Sequence, residues 1–162
     1  ALVKPLFFAN INDYPLSFKP KKALEVYVNA HPNREVEYGI PLVAQAARRL
    51  PSVKFFVYGI EGVDTKNLKY MGWLEESEAD KRMSKHHIYL RLNKHDGFSQ
   101  LVIKAGLWGH RVITVQDIKH TTKVEGVSGL VEGLRALEGV TEPYLELREW
   151  LTALGLNNLS WL

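Results

Sequence analysis

Five short apolar segments alternate with amphipathic ones along the chain, and this alternation constrains the fold more than any other feature. The apolar segments are rich in β-branched and aromatic residues and span 24–29, 53–58, 68–73, 88–92 and 111–115. Helical spacing or composition marks the segments 39–50, 75–85, 99–108, 128–137 and 143–154. Strands that read as near-continuous apolar runs and are joined through helices form parallel sheets covered on both faces. The sequence therefore predicts an α/β fold, a Rossmann-like doubly wound parallel sheet.

The length of 162 residues favours a single domain, which we expect to span 1–162. Residues 1–22 form a lead-in strand and loop in this interpretation, and 143–162 form a C-terminal helix and tail. A net charge of +3 with scattered cations is too small to indicate nucleic acid as a partner. The chain has no cysteine and no apolar run long enough to cross a membrane, so we expect a cytoplasmic protein.

A short turn with the sequence HDGFS, residues 95–99, follows the fourth apolar segment and opens the third helix. Gly97 permits a tight turn, and Ser99 can cap the helix. The amides of residues 98–101 could then cradle a pyrophosphate at the positive end of the helix dipole. An ordinary strand-to-helix turn with an N-cap explains the same five residues equally well.

Ligands of doubly wound sheets bind outside the carboxyl ends of the strands. The loops at those ends are predicted at 30–38, 59–67, 74–76, 93–99 and 116–123. Residues of these loops are therefore the candidates for a binding site.

The order of residue types from 89 to 115 resembles a signature of GT-B glycosyltransferases of the retaining, family-4-like kind. Their donor-binding domain carries a Glu-x7-Glu element, in which a Glu-Gly-Phe-Gly-like turn leads into a helix and then a strand. The residues in register with that element are Asp96, Gly97, Phe98, Ser99, Ala105, Gly109 and 111–114. An Arg-x-x-x-His-Asp-Gly version of the element is similar to Arg91, His95, Asp96 and Gly97. Segments 69–74, 53–59 and 24–39 extend the resemblance, which covers about residues 20–150.

The resemblance implies a binding site for a nucleotide-diphosphate sugar. Gly97, Phe98 and Ser99 would cradle the diphosphate, with charge added by Arg34 or Lys104. Asp96, in the position of the first Glu, would approach the donor sugar as the catalytic candidate. The remaining candidates that border the donor are His95, Trp73 and Leu74. The family's retaining members use no metal, and the donor is a substrate, so no cofactor is expected.

Two departures from the family pattern weaken this expectation. Lys104 stands where the family places a second Glu that holds the ribose hydroxyls, and an ammonium can only donate hydrogen bonds. Lys104 could instead contact a phosphate or be a solvated helix residue. The family's Lys-Gly pair is Tyr38-Gly39 here, and its Arg position is Ala30 or His31.

Several single residues have simpler interpretations. Asp96 can stabilise the N-terminus of the helix dipole by about 0.3–1 kcal/mol without touching a ligand. His86 and His87 adjoin at a helix end, where a cationic role is favoured over metal binding because neighbouring positions face different directions. Arg91 could form an ion pair across the sheet or bind a ligand.

The leading hypothesis is a donor-binding domain of a retaining glycosyltransferase that transfers a sugar to an unknown acceptor. Such a domain would belong to a larger two-domain enzyme and be inactive by itself, with an N-terminal acceptor-binding domain as its partner. The acceptor could be membrane-associated. The alternative is a stand-alone Rossmann-like binding or scaffold domain with a degenerate donor site. A fragment of a GT-B-fold epimerase is a third, remoter hypothesis.

Overall fold

The computed structural model of the protein describes residues 10–94 and 99–154. It confirms the α/β fold. A single 3₁₀ turn, Ile11–Asp13, precedes the first strand, and the elements then follow in the order β1 Glu25–Asn29, α1 Ile40–Arg49, β2 Lys54–Tyr58, β3 Leu68–Gly72, α2 Glu76–Met83, β4 Ile88–Arg91, α3 Gln100–Trp108, β5 Arg111–Thr114, β6 Thr122–Lys123, α4 Gly126–Arg135 and α5 Glu146–Ala153.

The six strands form one parallel sheet in the order β3-β2-β1-β4-β5-β6. Val26 at the centre pairs with Phe55 on one side and with Ile88 on the other. The strand order reverses between β1 and β4, which is where ligands bind in folds of this type. The sixth strand has two exposed residues and was not predicted.

Each face of the sheet has its own apolar core. The side chains of Val26 and Val28 belong to the core under α1 and α4, which we call the first face. Tyr27, between them, belongs to the core under α2, α3 and α5, which we call the second face. The alternation follows from the period of two along a strand, and coverage of both faces explains why the strands read as unbroken apolar runs.

Local sequence signals account for the helix ends. Gly39 precedes α1 in a left-handed conformation with φ 76°, and Pro41 occupies its first turn. Helix α2 carries Glu76 and Glu78 in its first turn and Lys81 and Arg82 in its last turn, an arrangement that the helix dipole favours.

Asn67 fixes the end of α1 to the rest of the domain. Its side-chain amide donates to the backbone oxygens of Ala47, Leu50 and Val53 at 2.9–3.0 Å. The two N–H groups of the amide are thus shared among two carbonyls at the end of α1 and the carbonyl that precedes β2, which ties these segments together.

The predicted lead-in strand before residue 10, the turn at 95–98 and the tail from residue 155 lie outside the described residues. Among the helices within residues 10–94 and 99–154, none is long and apolar enough to cross a membrane.

Candidate donor-binding cleft

A cleft of about 540 Å³ opens where β1, β2 and β3 end beside α2 and α3. Three predicted ligand loops contribute to its wall, through residues 29–32, 58–59 and 72–74. The two helices add the side chains of Glu76, Ala79, Asp80 and Met83 from α2 and of Leu101 and Lys104 from α3. The cleft therefore lies at the carboxyl edge of the sheet, as predicted for a ligand site of this fold.

The floor of the cleft depends on a close approach of two backbone segments. Gly59 has φ 99°, and a Cβ atom placed on it would lie 2.2 Å from the carbonyl oxygen of Ala30. Only glycine fits this contact, since a side chain would clash with backbone that cannot move independently. The ends of β1 and β2 are thus held together directly beneath the cleft.

Lys104 lies in the wall of the cleft, and its side chain is 6% exposed. Its ammonium contacts Oε1 of Glu76 at 2.7 Å and both carboxylate oxygens of Asp80 at 3.0 Å. The ring centre of Tyr14 is 5.4 Å from the same nitrogen. The interpretation of Lys104 as a solvated helix residue is therefore wrong, because two acidic side chains of α2 draw the ammonium into the protein.

The two carboxylates that hold Lys104 differ in environment. The Asp80 side chain is 19% exposed, and burial raises its pKa although Lys104 opposes the change. The Glu76 side chain is 78% exposed, and the hydrogen bond from Lys104 lowers its pKa. Glu76 thus remains an ionised hydrogen-bond acceptor at the mouth of the cleft.

Ser99 caps α3, as predicted. Its side-chain oxygen accepts from the amide of Leu101 at 3.2 Å, and its carbonyl accepts from the amide of Val102. The amide of Leu101 was expected to be available to a pyrophosphate, and that expectation is wrong because the cap occupies it. The proposed diphosphate contacts of Gly97 and Phe98, and the roles of His95 and Asp96, lie outside the described residues.

Tyr89 joins the carboxyl ends of β1 and β4 from beneath. Its hydroxyl donates to Oδ1 of Asn29 at 2.6 Å and accepts from a guanidinium nitrogen of Arg91 at 3.4 Å. Asn29 lines the cleft, so this buried contact fixes the orientation of its amide. The guanidinium of Arg91 packs 5.6 Å from the ring centre of Tyr38.

Arg34 is exposed in the loop after β1 and is not among the residues that line the cleft. It forms a two-point ion pair with Glu37, in which Nε lies 2.7 Å from Oε2. Its guanidinium also lies 5.4 Å from the ring centre of Tyr38. Arg34 and Glu37 thus neutralise each other within the loop, and the phosphate contact of Arg34 stays a prediction.

Trp73 and Leu74 both line the cleft, at the exit of β3 where the resemblance places the nucleotide base. The side chain of Trp73 is 76% exposed. An exposed indole at a cleft mouth offers a flat apolar face to a ring-shaped ligand.

His86 and His87 are buried, so the predicted role as helix-end cations is wrong. His86 donates from Nδ1 to Oε1 of Glu25 at 2.8 Å and accepts from the hydroxyl of Tyr58 at 2.7 Å. His87 accepts from the backbone amide of Glu25 and donates to the carbonyl of Lys19. Burial lowers the pKa of both imidazoles, which therefore form these hydrogen bonds as neutral rings.

His110 extends this polar group beneath β1, a role that no sequence pattern predicted. Its Nδ1 accepts from the hydroxyl of Tyr27 at 2.8 Å, and its Nε2 faces the carbonyl of Ser84 at 3.3 Å. Complete burial lowers its pKa to about 3. Tyr58 is the member of the group that also lines the cleft, so the network supports the cleft floor from below.

Within the part of the chain that the structure describes, no group of three or more His, Asp or Glu side chains is arranged to hold a metal ion.

No protein-family model matches the chain, and no curated protein matches it. Solved structures do. The GtfA/B complex aligns with 89% of the chain at a TM-score of 0.59 and 16% identity. The pneumococcal O-GlcNAc transferase GtfA, solved with UDP and GlcNAc, aligns with 88% at a TM-score of 0.55 and 13% identity. The C-terminal domain of a glycosyl transferase group 1 family protein from Francisella tularensis aligns with 90% at 0.53 and 13%.

These structures are GT-B glycosyltransferases, and the chain has the fold of one half of such an enzyme. It spans 35% of the first two matched chains and 86% of the isolated C-terminal domain. Identities of this size establish the fold alone.

Proposed function

We propose that the chain is the nucleotide-sugar donor-binding domain of a retaining glycosyltransferase and acts with an acceptor-binding domain. The observation that carries the proposal is the cleft at the carboxyl edge of the sheet, beside the start of α3. Its position is where a ligand of this fold binds, and its volume suits a ligand of nucleotide size. The UDP bound by one structural neighbour is consistent with this ligand class.

The catalytic contribution of such a domain is electrostatic. The positive end of the α3 dipole and the turn at 95–99 would support the departing diphosphate, which carries most of the charge that develops in the transition state. Asp96, Gly97 and Phe98 keep the roles that the family resemblance implies. The acceptor and the second half of the active site would come from the partner domain.

A binding domain without a donor site is the second candidate, and the state of Lys104 favours it. Among the described lining residues of the cleft, Lys104 is the one Lys or Arg, and two carboxylates neutralise it. A diphosphate would therefore find little positive side-chain charge on the described walls. Its binding would depend on the turn at 95–99.

Calorimetric titration separates the two candidates. UDP, GDP, ADP and their glucose conjugates are titrated into the chain, together with the matching nucleosides. We expect one base to bind with a Kd below 1 mM and the diphosphate to bind at least tenfold more tightly than its nucleoside. That difference measures the contribution of the helix N-terminus and its turn.

The Asp96→Asn variant, with Asp117→Asn as a matched control in another loop, locates the bound ligand. We expect the Asp96 variant to change the affinity for the sugar conjugate more than that for the diphosphate alone. If no nucleotide binds below 1 mM, the chain is a binding or scaffold domain of another kind.

A further inference from the structure

The ion group in the wall of the cleft consists of Lys104, Glu76 and Asp80, and its hydrogen bonds leave the lysine saturated. An ammonium has three N–H donors, and three carboxylate oxygens lie within 3.0 Å of Nζ. The aromatic ring of Tyr14 covers another side. Lys104 therefore has no donor left for a ligand, and its charge serves to hold the two acids in place.

The two acids are not equivalent towards a ligand. Both oxygens of Asp80 face Lys104, and this side chain also separates the cleft from a second cavity of about 370 Å³. Glu76 gives Oε1 to Lys104 and is 78% exposed. A carboxylate has about four lone-pair sites, so Glu76, which lines the cleft, can accept further hydrogen bonds from a ligand.

The surroundings of Glu76 indicate what it accepts from. Trp73, three residues earlier, presents an exposed indole at the same mouth. A carboxylate beside an aromatic face suits a nucleoside, whose ribose hydroxyls donate hydrogen bonds and whose base is a flat ring. The ion group bears one net negative charge, so it disfavours a phosphate at this end.

We propose that Glu76, anchored by Lys104, is the acceptor for the sugar hydroxyls of the bound nucleotide, and that it binds the vicinal diol of the ribose. This inference rests on the proposed function. The carboxylate comes from the start of α2, whereas the family pattern provides it from the position that Lys104 occupies in α3. Relative to the family pattern, α3 carries a lysine in place of the glutamate and α2 supplies the carboxylate. The cleft thus keeps an acidic hydrogen-bond acceptor.

The same charges orient the ligand. Ser99 lies five residues before Lys104, which corresponds to about 7.5 Å along the axis of α3. The diphosphate is favoured at the Ser99 end, where the helix dipole is positive, and the ribose at the Glu76 end. The base then reaches the exit of β3 at Trp73.

The test compares the preferred nucleotide diphosphate with its 2′-deoxy and 3′-deoxy forms by calorimetric titration. For the unsubstituted chain we expect each deoxy form to bind about tenfold more weakly, the effect of one hydrogen bond to a charged acceptor. In Glu76→Gln the penalty should fall to about twofold or less. The Gln oxygen can still accept from Lys104, so this variant should keep its fold.

Glu78→Gln is the matched control, because Glu78 lies on the same helix, pairs with Arg82 and is not among the residues that line the cleft. Its deoxy penalty should equal that of the unsubstituted chain. A tenfold penalty that persists in Glu76→Gln, or no penalty in the unsubstituted chain, overturns the inference and leaves the proposed function standing. Absence of any nucleotide binding overturns both.

Discussion

The first face of the sheet is covered by α1 and α4, and among the described residues of its buried cluster only Tyr38 carries a polar group. The second face instead places several tyrosines and histidines beneath α2 and α3. On the first face the contacts are non-directional, and any set of well-packed side chains of the right volume would serve. On the second face each polar group depends on a named partner. The cleft is walled by α2 and α3 of the second face. The candidate site therefore lies on the side of the domain where hydrogen bonds fix the positions of the side chains.

The largest effect is expected from a truncation on the first face. Leu134 of α4 is fully buried among the apolar residues there. Leu134→Ala should lower the free energy of unfolding by about 3 kcal/mol through lost contacts and a cavity. Urea denaturation measures the change, and Leu137→Ala, at a partly buried position, is the control. Unchanged nucleotide affinity would confirm that this face only supports the fold.

A smaller loss is expected when the ion group on the second face loses its cation. Lys104→Met leaves Asp80 and Glu76 facing each other, and we expect a cost of about 2 kcal/mol, reduced from the value for a fully buried pair because Glu76 is open to water. Urea denaturation at pH 7 gives the value. Lys81→Met, at an exposed position of α2, should change the free energy of unfolding by less than about 0.5 kcal/mol. Equal losses in the two variants would contradict the ion group's role.

Acid should act on the second face through Glu25. Burial raises the pKa of Glu25, but hydrogen bonds from His86 and Lys21 outweigh it and bring the pKa from 4.5 to about 2. A carboxylate with a lowered pKa stabilises the fold above pH 4.5, and this contribution disappears as the pH falls towards 2.

We expect Glu25 to account for about 1.5 kcal/mol of the loss over that range, after allowance for solvent screening, and the buried His110 to add to the total loss. Denaturation curves between pH 5 and 2 provide the measurement. The Glu25→Gln variant should show a shallower acid dependence than the unsubstituted chain. An identical dependence of stability on pH in the two proteins would show that groups other than Glu25 cause the acid sensitivity.

The smallest effect concerns ligand binding alone. Trp73→Ala removes an exposed indole from the mouth of the cleft, so stability should change little, while nucleotide affinity should fall about fivefold, which corresponds to about 1 kcal/mol. Val63→Ala, an exposed apolar side chain outside the cleft, is the control for loss of surface. Equal affinities in the two variants would show that the indole does not contact the base.

The sequence predicted the first five strands because their side chains are apolar on both faces, and periodicity detects that directly. It could not predict β6, since Thr122 and Lys123 have no apolar pattern and form a strand only because β5 offers unpaired backbone. Helix α4 begins at Gly126, two residues before the predicted start. Glycine disfavours helix interiors, so the local signal pointed to a later start.

The candidate site was predictable in outline and not in its contacts. The loops at the carboxyl edge followed from the parallel sheet, and three of them line the cleft. The partners of Lys104 are 24 and 28 residues away in α2, and those of His86 are 28 and 61 residues away. No local pattern encodes such distances. The sequence therefore left Lys104 as a phosphate contact or a solvated helix residue and indicated a helix-end cation at His86, whereas both side chains are buried.

The position of β1 beside β4 has a consequence for how the domain folds. Strands β1 to β3 pair with near neighbours in the chain, as do β4 to β6, and within the described residues these two groups meet through β1 and β4. Pairing β1 with β4 brings together strands that are far apart in the chain, which is entropically costly. We therefore expect each group of strands to form early and the joining of the two groups to limit the folding rate. The bonds of Tyr27 to His110 and of Glu25 to His86 cross this junction. They would then form after the transition state, and their chief effect would be to slow unfolding and lengthen the lifetime of the native domain.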